Sequence, residues 1–439
     1  MKKLCIITPF FPPTGGPTVQ RVYKHTKFLP SFGWSSVVIT RGSSHFYAFD
    51  DTLLEEIPED VKVYRTFSLD YGALKGYLRG GKVVVEDRRW TPETIKKFNI
   101  PNLIRRFLLI PDGYILWLPF ALVRALRLVR KVDAYYLRVP VFSTGLLAPL
   151  LRLFTDKPII TDFSDEWTSR NIDFVLKPCW RRSIERGMEK AVLRASTWVA
   201  FSTRASKEYY SSRYPSMAYK FRAILNGYDE DDFTHIEIPK RLDKRLVIVY
   251  SGNCEDTLKP AGLTVTSYYF LKALSILKAR EKGLESSLQV KFIGYAGKST
   301  ERYIREFVLG EIVSLHGNRP HRESIRQILS ADLLLLILFS EGRGPRVIPA
   351  KLFEYLRARK PILALAPQDG EVARLIRRYN AGKIAHPESP EQIADAIAYF
   401  LKLHKSGELS RWRFSGEPVE RFTRAESTRK LVEILAEEV

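Results

Sequence analysis

Short apolar, β-rich runs recur along this chain at near-regular intervals, and most are separated by stretches of helical spacing. LCIITPF (4–10), SSVVIT (35–40), VKVYRT (61–66), DAYYLR (133–138), PIITDF (158–163), TWVAFS (197–202) and FRAILNG (221–227) form a first series. A polar, acidic stretch, DEDDFTHIEIPKRLDK (229–244), ends it and reads as a charged linker. The rhythm restarts with RLVIVYSG (245–252), LQVKFIG (288–294), IVSLHG (312–317), ADLLLLIL (331–338), PILALA (361–366) and GKIAHP (382–387). TSYYFLKALSILKAREKG (266–283) and PEQIADAIAYFLKLHK (390–405) show the 3.6-residue period between them. Strand and helix in alternation build parallel sheets covered on both faces. Two such series predict two doubly wound domains, with ligands at the carboxyl ends of the strands.

At 439 residues the chain exceeds one ordinary core, which agrees with two domains. Its 45% hydrophobic and 12% aromatic content is that of a globular protein and excludes wholesale disorder. Cys5, Cys179 and Cys254 are too widely spaced for a disulfide framework or a metal pattern, and fit a reducing, cytoplasmic compartment. The start MKKLCIITPFF meets Pro9, Pro12 and Pro13 too early for a signal peptide and reads as a first strand. No run approaches the ~20 apolar residues of a transmembrane helix. The net charge of +21 attracts polyanions: nucleic acid, anionic lipid or phosphorylated small molecules. Nucleic acid is disfavoured, because no RNP, zinc or helix-turn-helix signature accompanies the charge and the aromatics fall in apolar runs.

Several residues carry candidate chemistry. After the first strand, Gly15 and Gly16 precede a helix whose free N–H groups and positive dipole end could hold an anion; a plain tight turn is the other reading. The spacing is not G-x-G-x-x-G, which argues against a nicotinamide dinucleotide. In the second half the loop FSEGRGPRVIPA (339–350) exposes amides at Gly342 and Gly344, and Arg343 and Arg346 offer forked donors suited to a diphosphate. The helix that follows, KLFEYLRAR, puts Lys351 and Glu354 at i, i+3 with Leu352, Phe353 and Leu356 toward the core. A carboxylate there can accept two hydrogen bonds from a ribose diol. In TDFSDE (161–166), Asp162 and Asp165 can orient or deprotonate an acceptor hydroxyl, or cap a helix. His25 and His45 read as surface or loop residues, His316 and His321 as incidental side chains flanking GNRP, and the scattered histidines support no metal centre. The segment NLIRRFLLIPDGYILWLPFALVRALRLVRK (102–131) reads either as a basic interfacial segment or as a buried helix whose arginines reach the surface.

The Gly-Gly turn, SEGRGPRVIPAKLFEYLRARKPILAL (340–365) and YNAGKIA (379–385), taken in order, resemble the family 4 retaining glycosyltransferases of the GT-B fold. PIITDFSDEW (158–167) and LLIPDGYILWLPFAL (108–122) are similar to segments of a subgroup that assembles surface polysaccharides and glycans. The resemblance covers most of the chain. It implies two facing Rossmann-like doubly wound domains with an inter-domain cleft, 1–235 for the acceptor and 236–415 for a nucleotide-diphosphate sugar. The terminal FTRAESTRKLVEILAEE resembles the helix, 416–439 here, that crosses back to the N-terminal domain.

Residue by residue, Glu354 matches the second glutamate of the family's paired-Glu motif, the one that holds the ribose. The first normally lies eight positions earlier, where this chain has Arg346; the nearest Glu-Gly match is Glu341, thirteen positions before Glu354. Lys259, Arg343 and Arg346 are candidates for the family's basic pair on the diphosphate, with a solvated loop lysine the other reading of Lys259. Gly16, Gly344 and Lys351 join the donor site, and backbone groups from Asn318 to Pro320 would face the base. The resemblance thus implies a hexosyltransferase acting with retention, without metal or cofactor, from a donor such as a UDP- or GDP-sugar. Its acceptor would be a glycan or a lipid-linked molecule, met at the inner face of a membrane. A nucleotide-sugar epimerase or phosphorylase of the same architecture is the alternative.

Overall fold

A computed structural model of the chain describes residues 1–15, 17–42, 50–69, 109–139, 141–169, 172–175, 177–238, 243–254, 265–340, 342–415 and 419–438. It contains two compact units: Met1–Asn226 with Arg424–Val439, and Gly227–Thr423.

The first unit holds seven parallel strands, β1 (Lys2–Ile7), β2 (Trp34–Arg41), β3 (Lys62–Thr66), β4 (Ala134–Val139), β5 (Ile159–Phe163), β6 (Trp198–Phe201) and β7 (Phe221–Ala223). Their order is β3-β2-β1-β4-β5-β6-β7, so the direction of winding reverses between β1 and β4. Period-2 alternation sorts the side chains. In β4, Tyr135, Leu137 and Val139 enter one core with Trp117, Leu147, Val192 and Phe201, while Ala134 and Tyr136 enter the other. That second core is closed by α1 (Pro17–Phe28), with Val19, Val22 and Tyr23, and by the terminal helix, whose Leu431, Ile434 and Leu435 are buried. His25 of α1 is buried, contrary to its reading as a surface residue, and its Nδ1 lies 2.8 Å from Thr428 Oγ1 on the terminal helix. Burial and the neighbouring Arg21 charge keep its imidazole well below the usual histidine range.

Helix α2 (Leu118–Arg127) resolves part of the segment 102–131; residues 102–108 lie outside the described residues. Leu118, Ala121 and Ala125 are buried at helical spacing, and Trp117 is buried with its Nε1 donating to Thr66 Oγ1 at 2.7 Å. The apolar stripe of α2 therefore belongs to the core. Leu116 and Val123 are exposed, beside exposed Arg127, Arg130 and Lys131.

The second unit holds six parallel strands, β8 (Leu246–Ser251), β9 (Leu288–Ile293), β10 (Val313–Leu315), β11 (Leu333–Ile337), β12 (Ile362–Leu365) and β13 (Gly382–Ala385). The order β10-β9-β8-β11-β12-β13 is the doubly wound Rossmann arrangement, with its switch between β8 and β11. Helices α3 (Tyr268–Arg280) and α4 (Pro390–Lys405) bury Phe270, Leu274, Ile397 and Phe400 against one face. Among the described residues, all thirteen strands fall on the runs read from the sequence.

The boundaries between the two compact units lie at 226/227 and 423/424. The acidic stretch is no free linker at its start. Residues Glu230–Phe233 form a 3-10 turn with Phe233 buried, Glu230 pairs with Arg357, and Asp232 Oδ2 lies 3.1 Å from His321 Nε2. The return is tied in as well: Tyr228 donates its N–H to Phe422 O at 2.9 Å.

Candidate functional site

In the second unit the carboxyl ends of β8 and β11 flank the switch point, where an open parallel sheet leaves a crevice. The helix that lines this crevice, Ala350–Ala358, follows the loop after β11. Leu352, Phe353, Tyr355 and Leu356 are fully buried and fix its rotation. The Tyr355 hydroxyl accepts from Ser251 N at 2.9 Å and donates to Leu335 O at 3.3 Å, tying this helix to the end of β8 and to β11.

That anchoring leaves Lys351 and Glu354 on the remaining face, both half-buried. The Lys351 ammonium lies 4.0 Å from the centre of the Tyr250 ring. Burial, only partly offset by Cys254 and Glu354, lowers its pKa to about 8. Room for it comes from Gly252: a Cβ there would fall 2.5 Å from Nζ. Gly252 has φ +127° and Gly294, at the end of β9, has φ +121°, with the place of its missing Cβ 2.5 Å from Gly252 O. Two glycines in left-handed backbone thus let the ends of β8 and β9 close on one another.

Glu354 Oε1 stands 4.0 Å from His321 Nε2, and the same nitrogen is 3.1 Å from Asp232 Oδ2. His321, treated as incidental in the sequence, therefore links the acidic turn to the candidate ribose carboxylate. Nothing in its sequence position marked it, because the contact joins residues 232, 321 and 354 across the unit. Arg343 packs over the Phe339 ring at 5.8 Å, Gly344 is buried at the start of the turn Gly344–Arg346, and Arg346 N donates to Arg343 O at 2.8 Å. Arg343, Arg346, Lys351 and Glu354 thus share one loop-and-helix segment at the switch. Asn318 is exposed in the loop after β10, where Gly317 O accepts from Gly294 N at 2.8 Å. Glu341 and Lys259, like Gly16 and His45 of the first unit, lie outside the described residues.

In the first unit Asp162 is fully buried within β5. Its Oδ2 accepts from Arg21 Nε at 2.7 Å, from Arg138 Nη1 at 3.2 Å, and from the Tyr136 hydroxyl. Burial alone would raise this carboxyl, but Arg21 and Arg138 with the tyrosine hydroxyl hold it below the usual range. A strand residue closed in by two guanidinium groups neither caps a helix nor reaches an acceptor hydroxyl, so its assignment as a catalytic acceptor contact is corrected to an internal ion pair. Asp165 is half-buried in the turn after β5. That turn is clamped by two buried carboxylates of the helix Cys179–Ala195: Glu185 accepts from Trp167 Nε1 at 3.1 Å, and Glu189 accepts from Thr168 N at 3.0 Å and from the Tyr210 hydroxyl at 2.6 Å.

Residues 241–413 match the model of the family described as Glycosyl transferases group 1. No curated protein matches the chain in sequence. Among solved structures, Anabaena HepE in complex with UDP-glucose aligns with a TM-score of 0.62 at 13% identity, covering 100% of each chain. WaaG, a glycosyltransferase involved in lipopolysaccharide biosynthesis, aligns at 0.56 and 15% identity over 98% of this chain and 95% of its own. A putative UDP-N-acetylglucosamine 2-epimerase from Listeria monocytogenes aligns at 0.52 and 11% identity, over 98% and 95%. The fold is GT-B, two Rossmann-like α/β units. Because an epimerase shares it, the fold by itself does not decide the reaction.

Proposed function

We propose that this protein is a glycosyltransferase that moves a hexosyl group from a nucleotide-diphosphate sugar to a glycan or lipid-linked acceptor, with retention and without a metal ion. The observation that carries the reading is the joint placement of Lys351 and Glu354 at the β8/β11 switch, inside the region that matches the transferase family. A leaving nucleoside diphosphate needs its developing charge met by cations and oriented amides. Arg343, Arg346 and Lys351, with the amides around Gly344, supply them, and Lys259 would add to them. Glu354 accepts from the ribose hydroxyls, backbone groups near Asn318 meet the base, and Glu341 contacts the sugar. Asp165 is left as the carboxylate that orients the acceptor.

UDP-sugars are the first donors to test, because Anabaena HepE is seen with UDP-glucose. The acceptor reading draws on the resemblance to surface-glycan enzymes and on a basic, apolar surface patch. Exposed Leu116 and Val123 join Phe120, which meets Phe67 edge-on at 5.1 Å, next to Arg127, Arg130 and Lys131. Such a surface suits an anionic membrane face. Among the described residues no helix is long and apolar enough to cross a membrane.

The deciding experiment screens UDP-, GDP- and ADP-sugars by thermal shift and then by product analysis. A native-state ligand raises the melting temperature by mass action. Nucleotide release that depends on an added acceptor, with the product keeping the donor's anomeric configuration, supports the proposal. Conversion of the donor sugar to its epimer with no acceptor consumed establishes the alternative instead.

A further inference from the structure

The Lys351 ammonium is a cation in an unusual setting. It is carried by a helix whose other face is fully buried, it lies over the Tyr250 ring, and it occupies space that exists because position 252 is glycine. Among the described residues no carboxylate lies within ion-pair distance of it. The groups around it are Tyr250 and Cys254 at the end of β8, Glu354 and Tyr355 on its own helix, and, beyond Glu354, His321 with Asp232. Of these, Cys254 and Glu354 favour its charged form, and neither offsets the loss of water.

Resting on the donor-site reading above, we propose that Lys351 is a diphosphate contact loaded by proton uptake: a nucleoside diphosphate entering the switch crevice draws a solvent proton onto Nζ. The free amine, R–NH2, takes one proton and becomes R–NH3+, and no other bond changes. The physical reason is that no carboxylate among the described residues pairs with it. A lysine already paired to a carboxylate stays charged with or without ligand, whereas one half-buried over an aromatic ring without such a pair gains its counter-charge only when the diphosphate arrives. With a resting pKa of about 8, half of the free protein carries the proton at pH 8. An anion in contact raises the value by roughly 1–3 units. Binding at pH 8 then takes up about half a proton per nucleotide, and affinity falls about tenfold between pH 7 and pH 9. An arginine at this position, charged throughout, would show neither effect.

The test is calorimetric titration of the full chain with UDP, GDP and ADP at pH 7, 8 and 9, each in two buffers of different ionisation enthalpy. Wild type should show the uptake and the tenfold fall. Lys351→Arg should bind with no uptake from the protein and a flat profile, and so also reports any titration of the nucleotide itself. Lys351→Met should bind at least tenfold more weakly at pH 7, with its melting temperature checking that it is folded. Binding by wild type without uptake, or a Lys351→Arg profile that copies wild type, overturns the assignment and leaves the transferase reading standing. Failure of all three nucleotides to bind wild type overturns both.

Discussion

Asp162→Asn separates a structural carboxylate from a catalytic one. The wild-type Oδ2 takes Arg21 Nε at 2.7 Å and Arg138 Nη1 at 3.2 Å in a site where the aspartate is 0% exposed, and Arg21 and Arg138 are 1% and 5% exposed. The amide is nearly isosteric but leaves two buried guanidinium groups without a counter-charge. Breaking one partner out of a buried pair costs about 3–5 kcal/mol. With a urea m-value of about 3 kcal/mol per molar, the unfolding midpoint should fall by roughly 1–1.7 M. Tryptophan fluorescence is a suitable readout, since six of the seven tryptophans (Trp34, Trp90, Trp117, Trp167, Trp180 and Trp198) precede the crossing at residue 226. The pH dependence follows from the sign of the shift. Asp162 has its folded pKa depressed, so its contribution is complete above the unfolded value of about 3.9 and is lost as pH falls through the folded value. The gap between wild type and variant should therefore be constant near neutrality and close below about pH 4. A variant that loses turnover while its urea midpoint stays within 0.2 M of wild type would refute the argument and return Asp162 to the chemistry.

Glu354→Gln should weaken nucleotide-diphosphate binding by about 1.5–3 kcal/mol, or roughly 10- to 150-fold, through loss of a charge-assisted acceptor for the ribose; unchanged affinity in calorimetry would remove that role. Gly294→Ala places a Cβ 2.5 Å from Gly252 O at φ +121°, so it should destabilise the second unit by at least about 2 kcal/mol, read by circular dichroism during urea unfolding. On anionic liposomes at low salt, wild type should float with the lipid and high salt should release it. Val123→Asp with Arg127→Glu should shift it toward the soluble fraction, each basic residue near the surface being worth about 1 kcal/mol. Wild type that stays off anionic liposomes at low salt would make 116–131 an ordinary core-facing helix and its flanks.

What the sequence determined alone was everything that depends on local periodicity. A parallel strand covered on both faces must be a short continuous apolar run, and so RLVIVYSG, ADLLLLIL or PILALA announce themselves without partners. The burial of Leu352, Phe353 and Leu356, with Lys351 and Glu354 left on the other face, was legible for the same reason, since one helix has one period. What only the tertiary structure decided concerns residues whose surroundings come from far along the chain. Asp162 looked like a free carboxylate at a strand end, and became an internal ion pair because Arg21 and Arg138 arrive 141 and 24 residues away. His25 moved from surface to core because the terminal helix covers it with Thr428. The acidic stretch turned from linker into part of the second unit because Arg357 and His321 meet it there. Lys351 was visible as a cation, but the burial that lowers its pKa and the space left for it at Gly252 belong to the folded unit. A residue's type and phase are written in its neighbours along the chain, while its charge state depends on what the folded chain brings against it.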